Sequence, residues 1–348
     1  MTHPEATDRV AERFDLIVNG PALFNAVVAG LELDVFGRLS RQPGVPFEEL
    51  REHTGLPAHK LRILLHALCA TELIELGTAG YTNSPTAERL LATDGPDSWK
   101  DILLGWQKIY YPAFAEMTGA LKSGTNTALA THPGDEPTLY QRLSHDPEAE
   151  RVLHRSMAAF TLRSLSGLLE NIDLTGVKRL LDVGGGDGTT AAALTDRFPG
   201  LDITVFDLPS VTELGRDGAP SAAPGGRIAF HPGDLFGDDF PGDVDAVLFS
   251  HVLEVFSADQ ITTLLRKAFD ALPPGGRVFL YGFNAMDGER RGVYSARLSL
   301  YLNVLATGQG MAYPTGDYEK WLTEAGCSQV ASITGLPYEH ALITGTKR

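Results

Sequence analysis

Apolar side chains recur at helical spacing from Val10 to Leu39: Val10, Phe14 and Ile17, then Leu23, Val27, Leu31 and Val35. Pro43, Gly44 and Pro46 end that pattern. PFEELREHTG then predicts a short amphipathic helix stopped by Gly55, and LPAHKLRILLHALCATELIEL a second helix. The turn-rich GTAGYTNSP follows, so residues 1–96 read as helix, turn, helix and a small β-wing, a winged-helix-like module. Residues 97–174 predict a helical middle, in which the polar TNTALATHPGDEP is a loop between two long helical stretches.

From Val177 the period changes. RLLDV, DITVF, RIAF, DAVLF and RVFLY read as buried strands, with TTAAALTDRF and SADQITTLLRKAFDAL as helices among them. Strands spaced by helices and turns predict an α/β domain over residues 175–348, built on a doubly wound parallel sheet. SQVASITGL and HALITGTKR add two strands able to pair as an edge hairpin. Trp99, Trp106, Tyr110, Tyr111, Phe114 and Phe160 cluster in the helical middle; most suit a core, and the rest suit an apolar pocket for an aromatic ligand.

Charge narrows the choices. The chain has 348 residues and carries 29 Lys+Arg against 44 Asp+Glu, a formal net charge of −15. Such a surface repels phosphate, which argues against a nucleic-acid partner. The second predicted helix also lacks a reading face, offering only Lys60 and Arg62 among Ile63, Leu64, Leu65, Leu68 and Leu73, so packing or dimerisation is the better reading for the module. Two cysteines, Cys69 and Cys327, form no disulfide framework and suit a reducing compartment. With no secretory signal and no apolar run of membrane-spanning length, the expectation is a soluble, cytoplasmic protein with no membrane partner.

The sharpest motif is LLDVGGGDGTT. A strand ends in Asp182, and Gly184, Gly185, Gly186 and Gly188 lead into a helix near Thr189. Glycines there let a ligand approach the backbone at the carboxyl end of the strand. Thr189 stands where a dinucleotide fingerprint needs glycine or alanine. D-x-G-x-G-x-G suits S-adenosyl-L-methionine instead, whose ammonium an acid beside the loop can hold. Asp207 ends the next strand, 23 residues after Gly184, and suits the ribose hydroxyls; Leu208 follows it. In the following GDLF, Gly233 and Leu235 flank Asp234, an acceptor for the adenine amino group, and Phe236 offers an apolar wall.

LLDVGGGDGTT, FDLPSV, GDLF and LPPGGRVFLY, in that order and spacing, resemble the plant-type small-molecule O-methyltransferases and their bacterial natural-product branch. The resemblance covers nearly the whole chain. It implies a class I methyltransferase Rossmann-like sheet, an N-terminal winged-helix dimerisation domain, a homodimer, S-adenosyl-L-methionine as cofactor and a phenolic acceptor. Carried over by position, it places Gly184, Asp207, Asp234 and Leu235 on the cofactor, and Trp106, Met157 and Phe160 in the acceptor pocket. Asp182, Gly186, Leu208, Gly233, Phe236 and Ser250 complete the candidate cofactor set, with Tyr110 and Tyr313 added to the acceptor set.

The departure lies after the fourth strand. Where the family has V-L-H-D-W, this chain has HVLEVFS, so Glu254 replaces the basic histidine, Val255 the aspartate and Phe256 the tryptophan. Ser250 replaces a cofactor-contacting lysine, and Gly282 and Tyr313 stand where the family has supporting acids. Glu254 can serve as base if its apolar neighbours raise its pKa. His251, three residues earlier, is the other catalytic candidate; the two share a face if the segment is helical there. The histidines show no metal-ligand spacing, and no G-x-S-x-G elbow is present. The expected activity is therefore O-methyl transfer to a phenolic or polyketide-like natural product. Loss of the histidine motivates one alternative, a relative that binds the cofactor but catalyses hydroxylation, decarboxylation or a pericyclic step. A small-molecule-sensing DNA regulator ranks last, because residues 1–100 hold 9 Lys+Arg against 14 Asp+Glu.

Overall fold

The structure, a computed structural model, describes residues 4–95, 97–218, 226–286 and 288–348. The chain forms two compact units, Met1–Lys108 and Ile109–Arg348. In the first, the predicted N-terminal helix is two: Pro4–Glu32 and Val35–Arg41, parted at Asp34, whose φ of 51° is left-handed. Helix Phe47–Thr54 stops at Gly55 in the left-handed conformation, as the sequence predicts. The next helix, Ala58–Ala70, ends earlier than its apolar pattern suggests. Glu72 turns left-handed, and Ile74–Leu76 (β1) pairs antiparallel with Tyr81–Asn83 (β2), so tertiary pairing overrides helical spacing. Phe36, Leu39, Leu50, Leu61, Leu65, Leu68 and Ile74 make this unit's core; Ile63, expected to pack on a core or a partner chain, is 52% exposed in the single chain.

The first helix corrects another expectation. Arg9–Glu32 is long and apolar enough to cross a membrane by length and composition alone, its most apolar 18 residues having a mean hydropathy of 1.5. Arg9, Glu12, Arg13 and Asp15 interrupt the apolar sequence near its start, so it contains no unbroken apolar run of membrane-spanning length. Val10, Phe14, Leu16, Ile17 and Val18 are all more than half exposed on it.

The second unit is organised by a seven-stranded sheet. Its strands are Arg179–Val183 (β3), Asp202–Asp207 (β4), Ile228–Pro232 (β5), Ala246–Ser250 (β6), Arg277–Phe283 (β7), Cys327–Leu336 (β8) and His340–Lys347 (β9), in the order β5-β4-β3-β6-β7-β9-β8. β3 to β7 are parallel, and β8 and β9 form the predicted antiparallel hairpin, β9 against β7 and β8 at the edge. This is an α/β Rossmann-like sheet of the class I methyltransferase type. Strand order reverses between β3 and β6, which opens a crevice at their carboxyl ends. Alternate residues of β7 enter different cores: Val278 and Leu280 pack with the helices Ala258–Ala271 and Thr315–Glu324, Phe279 and Tyr281 with Pro147–Asn171 and Thr189–Arg197. The stretch 125–137, predicted to be a loop, holds a short 3-10 helix, Thr127–Thr131.

Candidate active site

Beyond β3 the chain turns through three glycines of positive φ: Gly184 at 70°, Gly186 at 63° and Gly188 at 84°. Side chains are excluded by contact as well as by conformation. A Cβ on Gly184 would overlap Val252, and one on Gly185 the Asp182 carboxylate. Asp207 ties this loop to β4. Its Oδ2 accepts from the Gly186 N–H at 2.8 Å and its Oδ1 from the Leu208 N–H at 2.7 Å. Burial pushes the Asp207 carboxyl up, and these two donors oppose the shift.

Asp182 is fully buried, and neither carboxylate oxygen has a hydrogen-bond partner among the described residues. Burial, then the Asp207 charge, pushes its pKa up to about 7. Ser250, at the tip of neighbouring β6, also buries a hydroxyl that has no partner among the described residues. At the end of β5, the Gly233 N–H donates to the Asp207 carbonyl, and its Cα backs onto the Phe206 ring. Asp234 Oδ1 accepts from the N–H groups of Phe236 (2.9 Å) and Gly237 (2.7 Å), which shapes the turn. Leu235 packs half-buried on the core, while Phe236 is 40% exposed and meets Phe256 edge-on at 5.2 Å. A side-chain-free loop, two carboxylates and orphaned buried oxygens fit a nucleoside that carries an ammonium group.

Glu254 lies in a 3-10 turn, Leu253–Val255, and is buried. Its Oε1 accepts from the Phe283 N–H at 2.7 Å, and burial pushes its pKa up to about 7. A Cβ on Gly282 would overlap this carboxylate, so Glu254 fills the room that a supporting acid would need at that position. A cavity of about 10 Å³ beside it, lined also by Leu280, Asn284, Tyr318 and Ala341, is the size of one water. Tyr318 buries a hydroxyl with no partner among the described residues.

His251 and Glu254 do not share a helical face. His251 is left-handed, with φ 57°, and the 3-10 turn begins only at Leu253. Glu254 therefore enters the core that holds Tyr318, whereas His251 stands against Tyr281 and Phe283.

The acceptor candidates fall in several places. Phe160 meets Phe283 at 5.3 Å, Tyr338 at 5.5 Å and His340 at 6.3 Å between ring centroids, which puts it beside His251. Met157 is half-buried on the same helix, Pro147–Asn171. Tyr110 stacks on Tyr301 at 3.9 Å, and burial pushes its phenol up. Tyr313 is committed elsewhere: its hydroxyl donates to the Phe256 carbonyl at 3.0 Å, and its ring packs edge-on to Trp321. Trp106 is buried in the first unit, edge-on to Trp99.

The sequence reading passed over His340, Tyr338 and Phe283. His340 was one histidine among ten without ligand spacing, and only the β7–β9 ladder, which sets Phe283 opposite His340, reveals its place.

A family model described as O-methyltransferase domain matches residues 114–328. The L-tyrosine C(3)-methyltransferase of Streptomyces lavendulae is 32% identical, over 89% of this chain and 85% of that protein. The 3-hydroxy-5-methyl-1-naphthoate 3-O-methyltransferase of Streptomyces sahachiroi is 29% identical, over 86% and 85% respectively. The solved structure of the S-adenosylmethionine-dependent methyltransferase SibL in its apo form is 33% identical, with a TM-score of 0.79, covering 96% of this chain and 98% of that one. All three names describe methyl transfer, and none describes hydroxylation, decarboxylation or a pericyclic step.

Proposed function

Since the chain belongs to the O-methyltransferase family of secondary-metabolite biosynthesis and is an S-adenosyl-L-methionine-dependent enzyme, we propose that it methylates a phenolic or polyketide-like aromatic acceptor on oxygen, with Glu254 as general base. The cofactor supplies an electrophilic methyl group on a sulfonium. Asp182, the glycine loop and Asp207 would hold it, with Gly233, Asp234, Leu235 and Phe236 available to the adenine and Ser250 at the tip of β6. Glu254 takes the phenolic proton. One observation supports this role above others: a carboxyl at the base position, its pKa pushed up to about 7 by burial and its Oε1 held by the Phe283 N–H. A phenol ionises near ~10, so a base of this strength aids the transfer as the O–H bond loosens. Phe160 and Met157 line the acceptor side, together with Tyr110. The exposed apolar face of helix Pro4–Glu32 supports a homodimer, which would cover it.

A second reading changes only the acceptor atom. The similarity to an L-tyrosine C(3)-methyltransferase favours the ring carbon beside the phenolic oxygen. Deprotonation by Glu254 also activates that carbon, because phenolate charge is delocalised onto it. Incubation with methyl-labelled cofactor and a panel of phenols distinguishes the two by the NMR position of the new methyl group. Label appearing on oxygen upholds the proposal, label on ring carbon upholds the second reading, and no transfer to any acceptor that binds contradicts both.

A further inference from the structure

His340 opens β9 and is 1% exposed. Its Nδ1 lies 3.0 Å from the Tyr338 carbonyl oxygen and its Nε2 lies 2.7 Å from Nε2 of His251. A carbonyl can only accept, so Nδ1 of His340 carries the hydrogen. In a neutral imidazole the other nitrogen is then a lone pair, and His251 must donate to it through its own Nε2–H. The direction of the chain is thus set from the Tyr338 carbonyl outward, and it leaves His251 with an unprotonated Nδ1. Burial lowers the pKa of both rings, to about 4 for His340, and each would repel a charge on the other, so the pair is uncharged at neutral pH.

The place of the pair gives this polarity a use. His251 directly follows Ser250 at the tip of β6, and Val252 beyond it covers Gly184 of the glycine loop. As a residue His251 is half-buried, whereas His340 behind it is enclosed. Tyr281 and Phe283 wall the pair, and Phe160, from the acceptor side, packs against both Phe283 and His340.

We propose that His340 is a positioning residue that locks the tautomer of His251, so that His251 Nδ1 accepts a hydrogen bond from an O–H or N–H group of the aromatic acceptor. The proposal rests on the methyl-transfer reading for the identity of the ligand. The tautomer lock itself does not. An acceptor with a polar hydrogen at that point is selected, and one that presents a lone pair there meets another lone pair and is rejected.

Protein with ¹⁵N-labelled histidine, recorded by two-bond nitrogen–proton correlation at neutral pH, tests the lock without any turnover. The expected result is an Nε2–H tautomer for His251 and an Nδ1–H tautomer for His340. An Nδ1–H tautomer or a charged ring at His251 overturns the proposal, whether or not the protein methylates anything. His340→Gln, whose amide oxygen can accept in place of Nε2, is expected to keep the His251 tautomer and the acceptor KM. His340→Leu is expected to release the tautomer and raise the acceptor KM ~10-fold, the worth of one hydrogen bond, with cofactor affinity unchanged. A His340→Leu protein with the wild-type acceptor KM overturns the proposal. Should that variant fail to fold, the wild-type spectrum decides alone.

Discussion

Two buried carboxyl groups dominate at the scale of single residues. Glu254 is expected to act in its ionised form, so kcat should rise as pH climbs through about 7, the value to which burial raises its pKa. Glu254→Gln keeps the shape and removes the base. Turnover should fall by about 10²–10⁴ while affinity for S-adenosylhomocysteine stays within about twofold, as steady-state kinetics and calorimetry can establish. Unchanged turnover would leave alignment of the reactants as the source of the rate. Asp182 makes a different prediction. Its folded pKa of about 7 lies above the value of an exposed carboxyl, so the folded state binds the proton more tightly than the unfolded state. The associated stability is present at low pH and is lost as pH rises through about 7. In the cofactor-free protein, Tm should therefore fall across that range, and Asp182→Asn should flatten the fall while weakening cofactor binding. A Tm profile identical in the variant would show that Asp182 ionises normally. The places of Asp182 and Asp207 at the ends of β3 and β4 were legible in the sequence because each belongs to a local motif. The His251–His340 pair was not legible, since its members lie 89 residues apart and meet only through strand pairing.

Elements translate these residues into a site through turns more than through regular structure. The loop after β3 is held by three left-handed glycines, by the Asp207 carboxylate and by Val252, which packs where a Gly184 side chain would go. Gly184→Ala should cost about 1–2 kcal/mol for the left-handed conformation alone, with the Val252 overlap added to it. Urea denaturation should show that loss, and titration should show a cofactor affinity lowered by at least ~10-fold. Near wild-type values for both would mean that the loop adapts. Sequence patterning located β3 to β7 within a residue or two, because buried parallel strands are short apolar runs bounded by turns. It failed where tertiary pairing won. The helix that ends at Ala70 was extended through Leu76, since β1 carries Ile74 and Leu76 at positions that also continue the helical apolar pattern. After β6 the chain is helical only from Leu253, so the condition on which His251 and Glu254 would share a face is not met.

On the scale of the whole molecule, a parallel sheet with a reversal of strand order puts the carboxyl ends of β3, β4, β5 and β6 side by side, and every cofactor candidate lies at one of those ends. Topology of this kind was readable from the alternation of strand and helix. The exposure of the first helix was not, because a helical apolar stripe looks the same whether it packs on its own chain or on another. Homodimerisation through that stripe predicts a particle of twice the chain mass by light scattering, converted to monomer by Phe14→Glu with Ile17→Glu; a wild-type monomer would contradict it. The central claim is that acids at adjacent strand tips, around a bend without side chains, hold the methyl donor. Isothermal titration of the purified protein with S-adenosylhomocysteine tests it most directly. Saturable binding at one site per chain, at least ~10-fold weaker in Asp207→Ala, is the predicted result. No heat of binding in the wild-type protein, or equal affinity in the variant, would contradict it.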